Sequence, residues 1–250
     1  MDFIYLDAAA TTPPHIDVIE EIKRIQLEHW GNPSSIHKLG ICARDILERS
    51  RNSIASKLNS SSDEIVFTSG ASESNDLAIR AIFNSVEKGR VVISTVEHPS
   101  VKNTVNQLKE FGWDVLYWPV DNKGVVKIDI INEILSPPTK FVSLIWGQGE
   151  IGTIQPINII GQACKERNIL FHTDATQVLA NGLFDWQKLN VDLLSASSHK
   201  LQGPKGVGIL IIKKESRSKI KPFNTGGMQE SSLRSGTQSV PSIAGFAREE

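Results

Sequence analysis

The chain has 250 residues, 40% of them hydrophobic and 22% charged, with a formal net charge of −1. That balance fits one large domain with a buried core and offers no basic surface to nucleic acid or to an anionic membrane. The two cysteines, Cys42 and Cys164, cannot build a disulfide framework, and no leader or apolar run of membrane-spanning length is read, so the expectation is a soluble, cytoplasmic protein.

Residues 1–15, with Tyr5-Leu6-Asp7 and the run Ala8-Ala9-Ala10-Thr11-Thr12-Pro13-Pro14, read as an N-terminal arm. A helical stretch and a turn-rich loop, Gly31-Asn32-Pro33-Ser34-Ser35, follow. From there short apolar runs alternate with amphipathic ones. Strands are expected at 65–68, 91–94, 115–118, 141–145, 169–172 and 207–212, and helices at 73–86, 100–111 and 157–167. A further apolar run, 191–194, precedes Ser195-Ala196-Ser197-Ser198-His199-Lys200, and a last helix begins after Pro241. Cys42 and Cys164 both fall in helical patterns and read as packed, inert thiols. This alternation argues an α/β fold, a mostly parallel sheet covered by helices on both faces, filling residues 16–250. Ligands of such folds bind at the carboxyl ends of the strands.

The informative polar residues fall at those ends. Thr68-Ser69-Gly70-Ala71-Ser72-Glu73 follows a strand and opens a helix, where small residues and free N–H groups make a phosphate cup. Its plain alternative is a capping box built on Ser69 or Ser72. Val96-Glu97-His98-Pro99 ends another strand; the histidine there suits stacking or proton transfer, or else is an ordinary turn histidine. Asp174 is expected just past the strand that ends in Phe171-His172, and Gln177 one helical turn later. Alone, Asp174 reads as a helix cap and Lys200 as a solvated lysine. Together, in one sheet and with Ser197 and His199 beside the lysine, they form the kit that pyridoxal phosphate needs. An amine makes the Schiff base, and a carboxylate keeps the pyridine nitrogen protonated.

The ordered set of motifs resembles the cysteine desulfurase group of the class V aminotransferases. It comprises Tyr5-Leu6-Asp7, Gly31 to Ser35, Thr68 to Ser74, Glu97-His98, Glu150-Ile151-Gly152, Asp174 to Gln177, His199-Lys200 with Gly203 to Gly206, and Arg234-Ser235-Gly236-Thr237. The resemblance implies the large domain of a fold-type I pyridoxal phosphate-dependent transferase, the arm lying on the side of a small C-terminal domain that is largely missing. It implies that Lys200 carries the cofactor and that Asp174 pairs with the pyridine nitrogen. Gln177 would bond the phenolic oxygen, and Ala71, Ser72, Ser197 and His199 would hold the phosphate. His98 would stack on the ring and assist proton transfer, and Thr237 would reach the phosphate of a partner subunit in a homodimer. The implied reaction takes L-cysteine to L-alanine and a persulfide, which feeds iron–sulfur clusters or thiolated cofactors through an acceptor scaffold.

Gln148 and Gly149 stand where the family carries two asparagines, the second of which helps hold the substrate carboxylate. Met228 and Ser231-Ser232 depart from a stretch rich in glycine and arginine. The family's nucleophilic cysteine and carboxylate-binding arginine lie beyond residue 250 and have no counterpart here. Two further readings therefore stay open. One is a non-enzymatic, cofactor-binding remnant or partner-binding paralogue that pairs with a full-length relative. The other is another class V activity, such as a selenocysteine lyase or an aminotransferase.

Overall fold

The structure, a computed structural model, describes residues 4–82, 87–182, 184–222 and 225–248. Helices α1 (Ile16–Glu28) and α2 (Lys38–Lys57) precede the sheet. Then come β1 (Ile65–Thr68), α3 (Ala71–Ala81), β2 (Arg90–Ser94), α4 (Pro99–Leu108) and β3 (Asp114–Trp118). The short α5 (Ile131–Ile134) leads to β4 (Thr139–Ile145), α6 (Ile157–Glu166), β5 (Leu170–Asp174) and α7 (Thr176–Ala180). The described chain closes with β6 (Leu193–Ser197), β7 (Gly208–Ile212) and α8 (Val240–Ala247).

The seven strands form one sheet in the order β1-β7-β6-β5-β4-β2-β3. β3, β2, β4, β5 and β6 run parallel, while β7 is antiparallel to both of its neighbours, β1 and β6. The sheet is mostly parallel, as expected, and its antiparallel part lies on the side where Lys200 leads into β7, the neighbour of edge strand β1. The link between β6 and β7, residues 198–207, returns antiparallel to the neighbouring position, which needs no crossover helix.

Period-two alternation gives the sheet two buried faces. Phe67, Val92, Val142, Leu144, Phe171, Leu194, Ile209 and Ile211 form one core with residues of α2, α6, α7 and α8. Val66, Val91, Ile93, Phe141, Leu170, Leu193, Leu210 and Ile212 form the other with residues of α3 and α4. On α4 the buried residues Val101, Val105 and Leu108 recur at helical spacing after Pro99 in the first turn. Each buried large aliphatic contributes roughly 1.5–3 kcal/mol.

Some boundaries differ from the sequence reading. β5 runs on to Asp174, so this carboxylate is the strand's last residue and not the residue beyond it. β6 begins at Leu193 and continues through Ser195 and Ser197, because small hydroxyl residues replace aliphatics where the strand nears the site. The helix expected over 73–86 spans Ala71–Ala81, and residues 83–86 lie outside the described ones. The last helix starts at Val240, with Pro241 inside its first turn, where no backbone donor is lost. Cys164 is fully buried in α6 and its thiol is pushed up to about 12 by desolvation, with Asp192 adding to the rise. Cys42 is half-buried in α2. Among the described residues no helix is long and apolar enough to cross a membrane.

Candidate active site

A cleft of about 1320 Å³ opens at the carboxyl ends of β1, β2, β4, β5 and β6. It gathers Ala71, Ser72, His98, Asp174, Gln177, Ser197, His199 and Lys200 into one site. Thr237 alone of the expected residues is outside it, exposed on the loop before α8.

The floor is built from the strand that ends in Asp174, which is 4% exposed. One carboxylate oxygen, Oδ1, accepts from the backbone N–H of Thr176 at 3.0 Å and from its hydroxyl at 2.6 Å. The other, Oδ2, accepts from Asn75 Nδ2 at 2.8 Å. Two residues earlier on the same face, His172 is held between the Ser143 hydroxyl at Nδ1 (2.8 Å) and the Ser195 hydroxyl at Nε2 (2.9 Å). Burial pushes this imidazole down to about 4 against the opposing pull of Asp174, so it is neutral.

Opposite, α3 presents its N-terminus. Its first intrahelical bond runs from Ser74 N–H to Gly70 O at 3.0 Å, which leaves the N–H groups of Ala71, Ser72 and Glu73 at the open end. Gly70 takes φ +150°, and a β-carbon on it would lie 3.7 Å from Ser197 Oγ, so that hydroxyl borders the cup. The capping box foreseen on Ser69 or Ser72 is absent, since Gly70 is the cap and makes no side-chain bond. Instead Glu73 accepts from the Ser69 backbone N–H and pairs with Arg234 at 2.9 Å. Arg234 thereby ties the glycine-rich stretch before α8 to the rim of the cup.

Lys200 lies in a short 3-10 turn, 198–200, just past β6. The Ser198 hydroxyl locks this turn by donating to the Pro204 carbonyl. The half-buried Lys200 amine donates to the carbonyl oxygens of Ala9 and Ala10 in the arm, the latter at 2.8 Å. Desolvation holds it below the usual lysine range, opposed by Asp7 and Asp174. Gln177 Nε2 also donates to Ala9 O, at 2.8 Å. His199 Nδ1 lies 3.0 Å from Thr11 Oγ1, and its imidazole is lowered by burial and by the charges of Lys200 and Lys205. Gln148 lines the cleft, but its amide is spent locally: Oε1 accepts from Glu150 N at 2.7 Å and Ile151 N at 3.0 Å, and Nε2 donates to Glu150.

Sequence reasoning gave Glu97 no role. It is buried between the ends of β2 and β4, where Oε1 accepts from the Ser94 hydroxyl and from Ile145 N at 2.9 Å. Its Oε2 is buried without a partner. Burial pushes the acid up to about 8, with Asp174 adding to the rise, so at neutral pH it stands protonated next to a second carboxyl group. A serine three residues upstream on a strand is too common a pattern to have revealed it.

The geometry of the site by itself defines a class of protein. A helix N-terminus with a bordering serine, a carboxylate fixed by three donors, and an amine of lowered basicity on one cleft suit a phosphorylated pyridine aldehyde. They supply an anion cup, a partner for a protonated ring nitrogen, and a nucleophile for the carbonyl carbon.

The chain belongs to the class-V aminotransferase family: the family model matches residues 4–248. The enzymes of this family work with pyridoxal phosphate. The chain is 42% identical over 247 residues to the cysteine desulfurase IscS of Dictyoglomus turgidum, and 39% identical over 246 residues to the mitochondrial cysteine desulfurase of Arabidopsis thaliana. These alignments cover 98% and 97% of this chain but only 62% and 54% of the relatives, so the chain spans less than two thirds of their length. Among solved structures, a NifS-like protein superposes with a TM-score of 0.94 at 39% identity, covering 98% of this chain and 68% of the other. A structure of SspA in complex with cysteine gives 0.93 at 38%, covering 98% and 71%.

Proposed function

We propose that this chain is the cofactor-binding large domain of a pyridoxal phosphate-dependent cysteine desulfurase, acting on L-cysteine to give L-alanine and persulfide sulfur. The observation that carries the reading is the meeting of Lys200, Asp174 and the α3 cup on one cleft. The named relatives and the cysteine in the SspA structure support the substrate. The same reading makes residues 1–15 an arm on the small-domain side, puts Thr237 at the phosphate of a partner subunit in a homodimer, and sends the sulfur to iron–sulfur or thiocofactor assembly in the cytoplasm. The name IscS that two of the relatives carry favours the iron–sulfur destination.

The residues divide the work by position. When bound, pyridoxal phosphate supplies an electron sink for a carbanion beside the substrate nitrogen. Lys200 offers the amine that bonds it, Asp174 holds the ring nitrogen protonated, and Ala71, Ser72, Ser197 and His199 seat the phosphate. Gln177 orients the phenolic oxygen and His98 covers the ring face.

One observation favours a second reading, a chain that binds the cofactor without turnover. The Gln148 amide is consumed by its own loop and Gly149 has no side chain, so neither of these two positions offers a substrate carboxylate a side-chain amide. The deciding experiment is visible absorption of the protein with pyridoxal phosphate, then with L-cysteine, with Lys200→Ala as control. A visible band absent from the control, followed by a cysteine-dependent shift and, with an added thiol to take the sulfur as its persulfide, equal yields of alanine and reducible sulfur, is expected. A band that cysteine leaves unchanged makes the second reading correct, and no band defeats both.

A further inference from the structure

His98 caps α4, and the atoms around its ring are enough to fix its tautomer. The Ser100 backbone N–H points at Nδ1 at 3.1 Å, so Nδ1 is an acceptor. The Ser100 hydroxyl lies 2.8 Å from the same nitrogen. That hydroxyl in turn accepts from Asn75 Nδ2 at 3.0 Å, and Asn75 Nδ2 also donates to Asp174 Oδ2 at 2.8 Å. A carboxylate oxygen only accepts, so the amide must turn its NH2 group, and not its oxygen, toward Asp174. Both amide hydrogens are then used, one on Asp174 and one on Ser100. The Ser100 oxygen has accepted one hydrogen bond and keeps its own proton for Nδ1. Asn75 is fully buried on α3 and Ser100 partly buried on α4, so packing between two helices holds the chain of bonds in place.

We infer that Asn75 and Ser100 are positioning residues: they link Asp174 to His98 by an unbroken run of hydrogen bonds and hold the His98 ring as the Nε2–H tautomer. Resting on the reading that His98 borders the cofactor ring, this assigns the histidine a direction. Nδ1 is engaged by two donors from Ser100, and Nε2 is the nitrogen left to meet whatever fills the cleft. It meets it as a hydrogen-bond donor, and a neutral His98 has no free lone pair there to accept a proton. The carboxylate and the imidazole are also joined through the Asn75 amide and the Ser100 hydroxyl, so a change at either end is felt at the other.

The test reads the tautomer from nitrogen-15 chemical shifts of the His98 ring in histidine-labelled protein, assigned by His98→Gln, first without cofactor. The expected result is an excess of about tenfold of the Nε2–H over the Nδ1–H form, the ratio one net hydrogen bond sets. Ser100→Ala keeps the backbone N–H but cuts the link to Asn75, and should lower that ratio several-fold; Ser100→Thr should restore it. Asn75→Ala should move it in the same direction as Ser100→Ala. A proton found on Nδ1 in the unaltered protein, or a ratio indifferent to both Ser100→Ala and Asn75→Ala, overturns the inference. The measurement needs no ligand. A correct tautomer in a protein that gives no visible band with pyridoxal phosphate would sink the cofactor reading and leave this one standing.

Discussion

Gly208 of β7 lies directly against Gly70 at the head of α3: a β-carbon on Gly208 would sit 2.6 Å from both the Cα and the carbonyl carbon of Gly70, and 2.7 Å from Ala196 O. The contacts are backbone, so they cannot be relieved by turning a side chain. The phosphate cup is therefore seated on a strand that has been stripped of its side chain at that point. Gly208→Ala should destabilise the protein by about 1–3 kcal/mol through overpacking. It should also weaken pyridoxal phosphate binding, because the cup must move to relieve the clash. Urea unfolding and a spectroscopic cofactor titration check the two effects; unchanged affinity would show that the cup does not rest on this contact.

Arg51 and Glu230 form a bidentate pair, with both contacts at 2.8 Å, and the glutamate side chain is fully enclosed. Glu230 also accepts from Phe67 N and Gln238 Nε2, and it sits at φ +47° at the head of three consecutive left-handed residues, Glu230 to Ser232. Burial acts to raise this acid, but Arg51 and the other donors hold it below the usual carboxylate range. Its contribution to stability is thus present above the unfolded carboxyl value and is lost as pH falls through the lower folded one. Glu230→Ala should cost about 3–5 kcal/mol because it takes the bidentate partner from a buried guanidinium and leaves it only the half-exposed Glu48 as counter-charge, at 3.3 Å. Unfolding at pH 7 and at pH 3 should show the variant's deficit shrinking at the acid end.

Glu97 has the opposite sign. Its folded value is raised to about 8, so between the unfolded carboxyl value and pH 8 the folded state holds the extra proton. Stability should fall as pH rises through that window, and level off above it. Glu97→Gln keeps the shape and removes the proton exchange, so its stability should be flatter between pH 5 and pH 9. Equal slopes for the two proteins in chemical unfolding would show that Glu97 is already ionised.

At the cleft edge, a β-carbon on Gly149 would lie 2.9 Å from Gln177 Nε2, the mobile end of a side chain. Gly149→Asn should fit once Gln177 shifts, and it would add a second amide beside that of Gln177. The expected gain is about tenfold in apparent affinity for L-cysteine, the worth of one hydrogen bond to a charged group. No gain in a cysteine titration of the visible band would show that the substrate carboxylate is held elsewhere.

The strands were readable because β-branched runs alternate with helical patterns, and β1 was legible residue for residue at 65–68. Asp174, Gln177, Ser197, His199 and Lys200 were readable as a group because each follows or ends such a run, and the cleft gathers them all. The reversal of β7 was not, since an apolar run has no direction. Nor were Glu97, Asn75 and Ser100: their importance lies in contacts across 48, 99 and 25 positions of sequence, to Ile145, Asp174 and Asn75. Spacing within one element carries no trace of such contacts.

The amine of Lys200 donates to the carbonyls of Ala9 and Ala10, the amide of Gln177 donates to that of Ala9, and Thr12 N–H bonds His199 O at 3.0 Å. The arm is in this sense a pseudo-ligand of the site it borders. A molecule that engages Lys200 and Gln177 competes with two alanine carbonyls for those donors and loosens residues 9 and 10, while Thr12 and His15 stay bonded to His199 and Gln202. Affinity at the cleft and order in the arm are two readings of a single competition.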